Sequence, residues 1–242
     1  MKYSKGKWAK YRFLIKNESL VPFVPETELF NEEVLWEFIE KHGQVVVKPS
    51  WGRRGKGVFS IKKIDQDVFE FHSEMNKITI TGEEKLLNKV VRSLIKEKNI
   101  VQRGIPLSTI NGSPFDLRIM VQRKKESEEW VVTGMLAKVA SKNYFITNVT
   151  KKVLDVQSAI EQSNISINDT NDLVRTLEKI SLTAALELSG YYPKQQIFGL
   201  DIGLDQAGKP WIFEVNCNPS FVYFKQLKDK QMISKIREYK KN

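Results

Sequence analysis

Apolar residues recur along this chain at two periods, and each period predicts a different element. Val34, Leu35, Phe38 and Ile39 fall at helical spacing over 31–42, with Glu32 and Glu33 in the first turn. Asn31 stands where an N-cap is needed and Gly43 where the helix must stop. Leu86, Leu87, Val90, Val91, Leu94 and Ile95 predict a second amphipathic helix over 83–98. Leu173, Leu177, Ile180 and Ala184 predict a third over about 169–189, capped by Asn168 or Asp169 and stopped at Gly190. A short basic helix is expected over 7–20, followed by the proline-flanked connection VPFVPET. Alternation marks the strands: a hairpin over 44–64, a short strand over 99–107, a long hairpin over 115–141 with a charged turn, and a last hairpin over 197–221 turning at 205–208. Antiparallel hairpins mixed with helices in this order predict an α+β fold, not the strand–helix alternation of a doubly wound parallel sheet.

Composition narrows the class. The 242 residues suit one large domain or two small ones, and 41% hydrophobic residues exclude global disorder. A single cysteine, Cys217, permits no intramolecular disulfide. The basic start lacks a signal-peptide core, and no apolar run approaches the ~20 residues of a membrane span, so a soluble cytoplasmic protein is expected. The formal charge of +10 favours anionic partners, or else reflects lysines that solvate helices, as in the tail KQLKDKQMISKIREYKKN.

Two stretches carry chemistry. In 45-VVVKPSWGRRGKGVFSI-61, Gly52, Gly55 and Gly57 alternate with Arg53, Arg54 and Lys56 between two strands. Glycines allow positive φ and close backbone approach, successive N–H groups form an anion-binding nest, and the cations complement negative charge. The loop therefore suits a phosphate chain; the competing reading is a mobile polar hairpin tip. It matches neither the G-x-x-x-x-G-K-[ST] nor the G-x-G-x-x-G pattern, both of which open into a helix rather than a strand. In 199-GLDIGLDQAGKPWIFEVNCNPSF-221, Glu214 and Asn216 are two apart on one strand and face the same way, with Asp201 roughly opposite. Phe213, Val215 and Cys217 are expected on the apolar side. One Asp, one Glu and one Asn amide oxygen on one face suit magnesium, the competing reading being a hairpin with a polar outer face. His42 and His72 have no partner at motif spacing and read as surface residues, and Cys217 reads as packing.

Lys48 ahead of S-W-G-R-R-G-K-G, with the later D-x(12)-E-x-N-x-N-P, resembles the ATP-grasp superfamily. More narrowly, G-K-W-A-K-Y-R-F-L, V-P-E-T, V-V-V-K-P-S-W-G-x-x-G-x-G, F-D-L-R and F-E-V-N-C-N-P-S-F resemble the YheC/YheD family, ATP-grasp proteins associated with bacterial endospore coats. The likeness runs in order over essentially the whole chain. It implies two α+β subdomains with antiparallel sheets gripping ATP, about 1–99 and 100–242. Lys48 would contact the α- and β-phosphates, and Lys7 resembles an earlier nucleotide-facing lysine. Ser50, Gly52, Gly55, Lys56 and Gly57 belong to the loop that would close over the β- and γ-phosphates. Gln102, Arg103 and Ile105 fall in the hinge whose backbone would read adenine. Arg118 resembles the arginine that stabilises a transferring phosphoryl or acylphosphate; an ion pair with Asp116 is the structural alternative. Lys138 and Asn148 lie where groups gather around the γ-phosphate. Asp201, Glu214 and Asn216 would hold Mg2+.

The resemblance thus implies an ATP- and magnesium-dependent ligase that activates a carboxylate as an acylphosphate for an amine or similar nucleophile, with small-molecule or polymeric substrates left open. Many such ligases carry a further N-terminal domain, whereas only six residues precede Lys7 here. The acceptor site would then be built within the two subdomains, supplied by a partner, or lost along with the activity. A nucleotide-binding or inactive scaffold among spore coat proteins is the alternative. Nucleic-acid binding is disfavoured, since no stacking platform or DNA-binding motif accompanies the charge.

Overall fold

The Asn31 side chain accepts a hydrogen bond from the Val34 N–H at 2.8 Å, and Gly43 closes the same helix in the left-handed conformation, φ +68°. That cap and stop delimit a helix over Glu32–His42 as the pattern requires. The computed structural model describes residues 3–52, 55–167 and 169–241. The expected roles of Arg53 and Arg54 in the loop, and of Asn168 as a cap, lie outside the described residues.

The N-terminal half runs α1 (Lys7–Leu14), β1 (Thr27–Leu29), α2 (Glu32–His42), β2 (Gln44–Pro49), β3 (Phe59–Asp65), β4 (Val68–Ser73), β5 (Asn76–Thr81), α3 (Glu83–Ser93) and β6 (Asn99–Arg103). Its strands form an antiparallel sheet in the order β1-β6-β2-β3-β4-β5. Leu35, Phe38, Ile39, Leu86 and Val90 of the two helices bury against Val45, Val47, Phe59, Ile61 and Phe71 of the sheet.

The C-terminal half runs β7 (Thr109–Ile110), β8 (Ser113–Gln122), β9 (Val131–Ala140), β10 (Thr150–Leu154), α4 (Val156–Glu161), α5 (Thr170–Ser189), β11 (Ile197–Leu204), β12 (Pro210–Asn216) and α6 (Gln231–Lys241). The second sheet is ordered β10-β9-β8-β11-β12, with β7 paired to β8. One face packs on α4 and α5 through Phe115, Leu117, Ile119, Leu177, Ala184 and Leu200. The opposite face is divided. Met120 and Leu136 lie under Phe224, Ile233 and Ile236 of the C-terminal segment, and the remainder is open. The chain passes between the sheets after Arg103, while α1 packs on α5 and β12 of the second half.

Several elements differ from the pattern. The first helix ends at Leu14, because Asn17 turns its side chain onto Ser19 N–H and Oγ and so competes with helical bonding. The 83–98 helix stops at Ser93: Leu94 is extended, and the Asn99 amide donates to the Ile95 and Glu97 carbonyls. Gly190 ends its helix at φ −60°, without a left-handed turn. The β4–β5 hairpin was not anticipated. Its turn takes φ +54° at Glu74 instead of at a glycine, and β5 is largely exposed, so both usual signals are weak.

Candidate functional site

A cleft of about 1390 Å³ lies between the two sheets. On its N-terminal wall, Lys48 comes from the end of β2 and is buried. Its ammonium donates to Gln102 Oε1 at 2.8 Å and to the Phe213 carbonyl at 3.1 Å, and Gln102 is anchored in turn on Thr27 Oγ1 at 2.9 Å. Burial pushes the Lys48 ammonium down to about 8, against the pull of Glu214. No carboxylate lies within ion-pair distance of it among the described residues.

The C-terminal wall is different. Asp201 on β11 lies in register with Glu214 on β12 and with Arg118 on β8. Arg118 donates Nε to Asp201 Oδ1 at 2.9 Å and Nη2 to Oδ2 at 3.0 Å, a bidentate fork. Lys138 reaches Asp201 Oδ1 at 3.2 Å and Asp116 Oδ1 at 3.0 Å, while Thr147 donates to Asp116 Oδ2. The Asn216 amide donates to Asp201 Oδ2 at 3.0 Å. Burial alone would raise Asp201, but Lys138 and Arg118 outweigh it and hold the carboxyl at about 2. Asp116 is raised above its ordinary range by burial, which Lys138 offsets only in part. Burial opposes the Lys138 charge, yet Asp116 and Asp201 keep its ammonium above the ordinary value. Glu214 faces Lys7 of α1 at 3.5 Å.

The register of these groups depends on a bulge. Asp201 pairs with Glu214 but Ile202 pairs with Ile212, which leaves Phe213 as the extra residue. Strict alternation put Phe213 on the apolar side. Instead it lines the cleft beside Leu107 and above Gly203, where a Cβ would come within 2.4 Å of its ring. Val215 is buried as expected, and Cys217 is half-buried against the same core, with burial pushing its thiol up.

Lys7, Lys48, Gly52, Gly55, Lys56, Gln102, Arg103, Ile105, Arg118, Lys138, Asn148, Asp201, Glu214 and Asn216 all line this cleft. Ser50 and Gly57 do not. The buried Ser50 hydroxyl accepts from the Trp8 N–H at 3.4 Å, and its carbonyl accepts from the Lys7 N–H at 2.8 Å, so it ties the strand to α1. Gly57, at φ +73°, packs against Ile95. Gly55, at φ +70°, meets Asn148 across the cleft, where a Cβ would approach the amide to 2.5 Å. Arg103 lies over the Trp211 ring at 5.1 Å.

Sequence reasoning missed Lys10, Asp116 as the partner of Lys138, and Thr147. Lys10 is buried behind β12 and donates to the Val215 carbonyl, between Glu214 and Asn216. Its spacing of three from Lys7 on a helix was the available signal. Arg118 does not pair with Asp116; neighbours two apart on β8 each reach across to a different strand. His72 is not simply a surface residue, since Nε2 meets the Asn143 carbonyl at 2.9 Å across the cleft. His42 pairs with Glu26 at 3.1 Å.

Among the described residues no group of three or more His, Cys, Asp and Glu could hold a metal. The two carboxylates and one amide of Asp201, Glu214 and Asn216 are nonetheless hard oxygen donors on one strand pair facing the cleft, which fits a divalent cation completed by other oxygens.

The YheC/D like ATP-grasp family matches residues 2–240. The chain belongs to this family. Endospore coat-associated protein YheD of Bacillus subtilis (strain 168) is 24% identical over 223 residues, covering 88% of this chain and 48% of the relative. Endospore coat-associated protein YheC of the same strain is 24% identical over 220 residues, covering 88% of this chain and 59% of the relative. The chain thus spans about half the length of these curated relatives. Among solved structures, N5-carboxyaminoimidazole synthetase from Staphylococcus aureus complexed with ADP superposes with a TM-score of 0.57 at 13% identity, covering 97% of this chain and 51% of that one. The fold is ATP-grasp: α+β, with antiparallel sheets facing each other across the cleft. No helix among the described residues is long and apolar enough to cross a membrane.

Proposed function

We propose that this chain binds ATP with magnesium in the cleft and uses it to activate a carboxylate for attack by an amine or similar nucleophile. The observation that carries the reading is that cations from both sheets and the oxygen donors of β11–β12 face one cleft in an ATP-grasp fold. Lys48 and Lys7 supply positive charge to the phosphate chain, and the backbone around Gly52 and Gly55 can approach it closely. The hinge over 102–107 would be the segment whose backbone reads adenine. Asp201, Glu214 and Asn216 would hold Mg2+, which neutralises phosphate charge when bound. Arg118 and Lys138 stabilise charge on the transferring group. A substrate carboxylate oxygen attacks the γ-phosphorus, the bond to the β,γ-bridging oxygen breaks, and ADP leaves with those electrons. The amine nitrogen then attacks the acyl carbon, phosphate leaves with the C–O electrons, and the amine proton passes to solvent. No nucleophilic side chain is required, because positioning and charge stabilisation suffice.

Glu214→Gln tests this. The variant is expected to keep its circular dichroism and melting transition and to lose the ADP formation that the wild type shows with carboxylate and amine pairs. Unchanged turnover would contradict the reading. The relatives' names, endospore coat-associated proteins, motivate spore coat biology as the setting. They also favour a second reading, a nucleotide-binding scaffold without turnover. That reading predicts no ADP from the wild type and undiminished assembly of the Glu214→Gln protein with coat components.

A further inference from the structure

The cleft carries more positive charge than a nucleotide requires. Among its described lining residues, nine Lys or Arg side chains face only three carboxylates, Asp116, Asp201 and Glu214. Those carboxylates are engaged by Lys138, Arg118 and Lys7, and Lys77 is engaged by Glu70 at 2.6 Å. Lys48, Lys56 and Arg103 belong to the proposed nucleotide side. Lys142 and Lys151 remain: both are exposed, both line the cleft, and neither has a carboxylate partner among the described residues.

Their positions are fixed by the β9–β10 connection. The Ser141 N–H donates to the Val149 carbonyl at 2.8 Å and Thr150 lies opposite Ala140, so Lys142 and Lys151 flank the two ends of one turn. This turn is where the two walls meet, through His72 on Asn143 and Gly55 against Asn148. The cleft also exceeds the roughly 300–1,000 Å³ of a site for one small molecule, which leaves room for a second substrate beside a nucleotide. We infer that the carboxylate substrate is an acidic peptide segment bearing several carboxylates, drawn to the cleft by Lys142 and Lys151.

This inference rests on the ligase reading above, which requires a carboxylate; a nucleic acid of equal charge offers none. Of the two aromatic residues at this turn, Tyr144 and Phe145, the latter is already packed on His72 at 5.0 Å between centroids, and a nucleic acid is left to the matched-charge control below. Neighbouring unpaired cations raise the local concentration of a multiply charged chain more than that of a single carboxylate, and salt screens the effect.

The test is fluorescence anisotropy of a labelled glutamate oligomer against the full chain, at low and physiological salt. The double variant Lys142→Glu with Lys151→Glu is expected to bind about tenfold more weakly or worse. The pair Lys225→Glu with Lys228→Glu, exposed and outside the cleft lining, makes the same change in net charge and is expected to weaken binding far less. Equal loss in both pairs, or undiminished binding in the cleft variant, would overturn the inference. So would a DNA strand of matched charge that binds the wild type as tightly as the peptide. Calorimetric titration of magnesium–ATP into the wild type separates the failures. Nucleotide binding without selective peptide binding overturns the substrate class alone, and no nucleotide binding overturns the ligase reading itself.

Discussion

Lys48 and Lys138 are both buried lysines at the ends of strands facing the same cleft, and their environments are opposite. Lys138 sits between two carboxylates, Asp116 and Asp201, and keeps its charge above the ordinary range. Lys48 has an amide oxygen and a carbonyl, and burial draws it down to about 8. The C-terminal wall carries its own counter-charges, whereas Lys48 on the N-terminal wall is held by neutral oxygens, with no carboxylate within ion-pair distance among the described residues. Substituting each lysine with the same residue therefore compares a cation held by the protein's own carboxylates with one that has none in reach among the described residues.

The largest expected effect is on stability. Lys138→Met leaves Asp116 buried without its cation and costs about 3–5 kcal/mol, read as a lowered melting temperature or denaturation midpoint. The loss shrinks at acid pH, where Asp116, already raised by burial, takes up a proton. Lys48→Met removes a cation that burial disfavours, so its stability cost is much the smaller of the two. Under the proposed function it also removes a charge-assisted contact to phosphate worth about 1.5–3 kcal/mol, and ATP affinity is expected to fall about tenfold to a hundredfold. Equal destabilisation by the two substitutions would erase the contrast between the walls.

The contrast also has a pH signature. The folded-state value of Lys48, about 8, lies below its ordinary value of 10.5, so the folded chain binds fewer protons than the unfolded chain between these values. Its burial penalty is thus fully felt below pH 8 and relieved as pH rises through that window. A bound polyphosphate restores the charge. ATP binding near pH 8–9 should take up a fraction of a proton, measured by calorimetry in buffers of different ionisation enthalpy, and Lys48→Met should abolish that uptake. The smallest expected effect is at the loop. Gly55→Ala places a Cβ at φ +70° against Asn148, and should cost about 1 kcal/mol of stability, read as a small drop in melting temperature, together with weaker nucleotide binding.

Much of this arrangement was legible in the sequence. Caps at Asn31 and Asp169 and the stop at Gly43 delimited helices, because their side-chain and backbone chemistry is local. The i, i+2 spacing of Glu214 and Asn216 placed both in the cleft. What alternation could not show was the bulge at Phe213, since an unpaired residue has no compositional mark and reverses the face of its side chain. The pairings of Asp116 and Arg118 were equally hidden, because which strands lie beside β8 is a property of the sheet, not of the motif F-D-L-R. Thr147 enters only because the loop after β9 folds back over that strand. Asn17 and Asn99, which shortened two helices, act through side-chain bonds that helical periodicity ignores.

In the proposed function Lys48 meets the phosphate chain while Asp201, Glu214 and Asn216 hold the metal of a single magnesium–ATP site. Calorimetric titration of ATP into the protein, with and without magnesium, tests it most directly. Saturable binding that tightens when magnesium is present is expected, with the tightening lost in Asp201→Asn. Absence of binding in both conditions, or binding indifferent to magnesium, would contradict it.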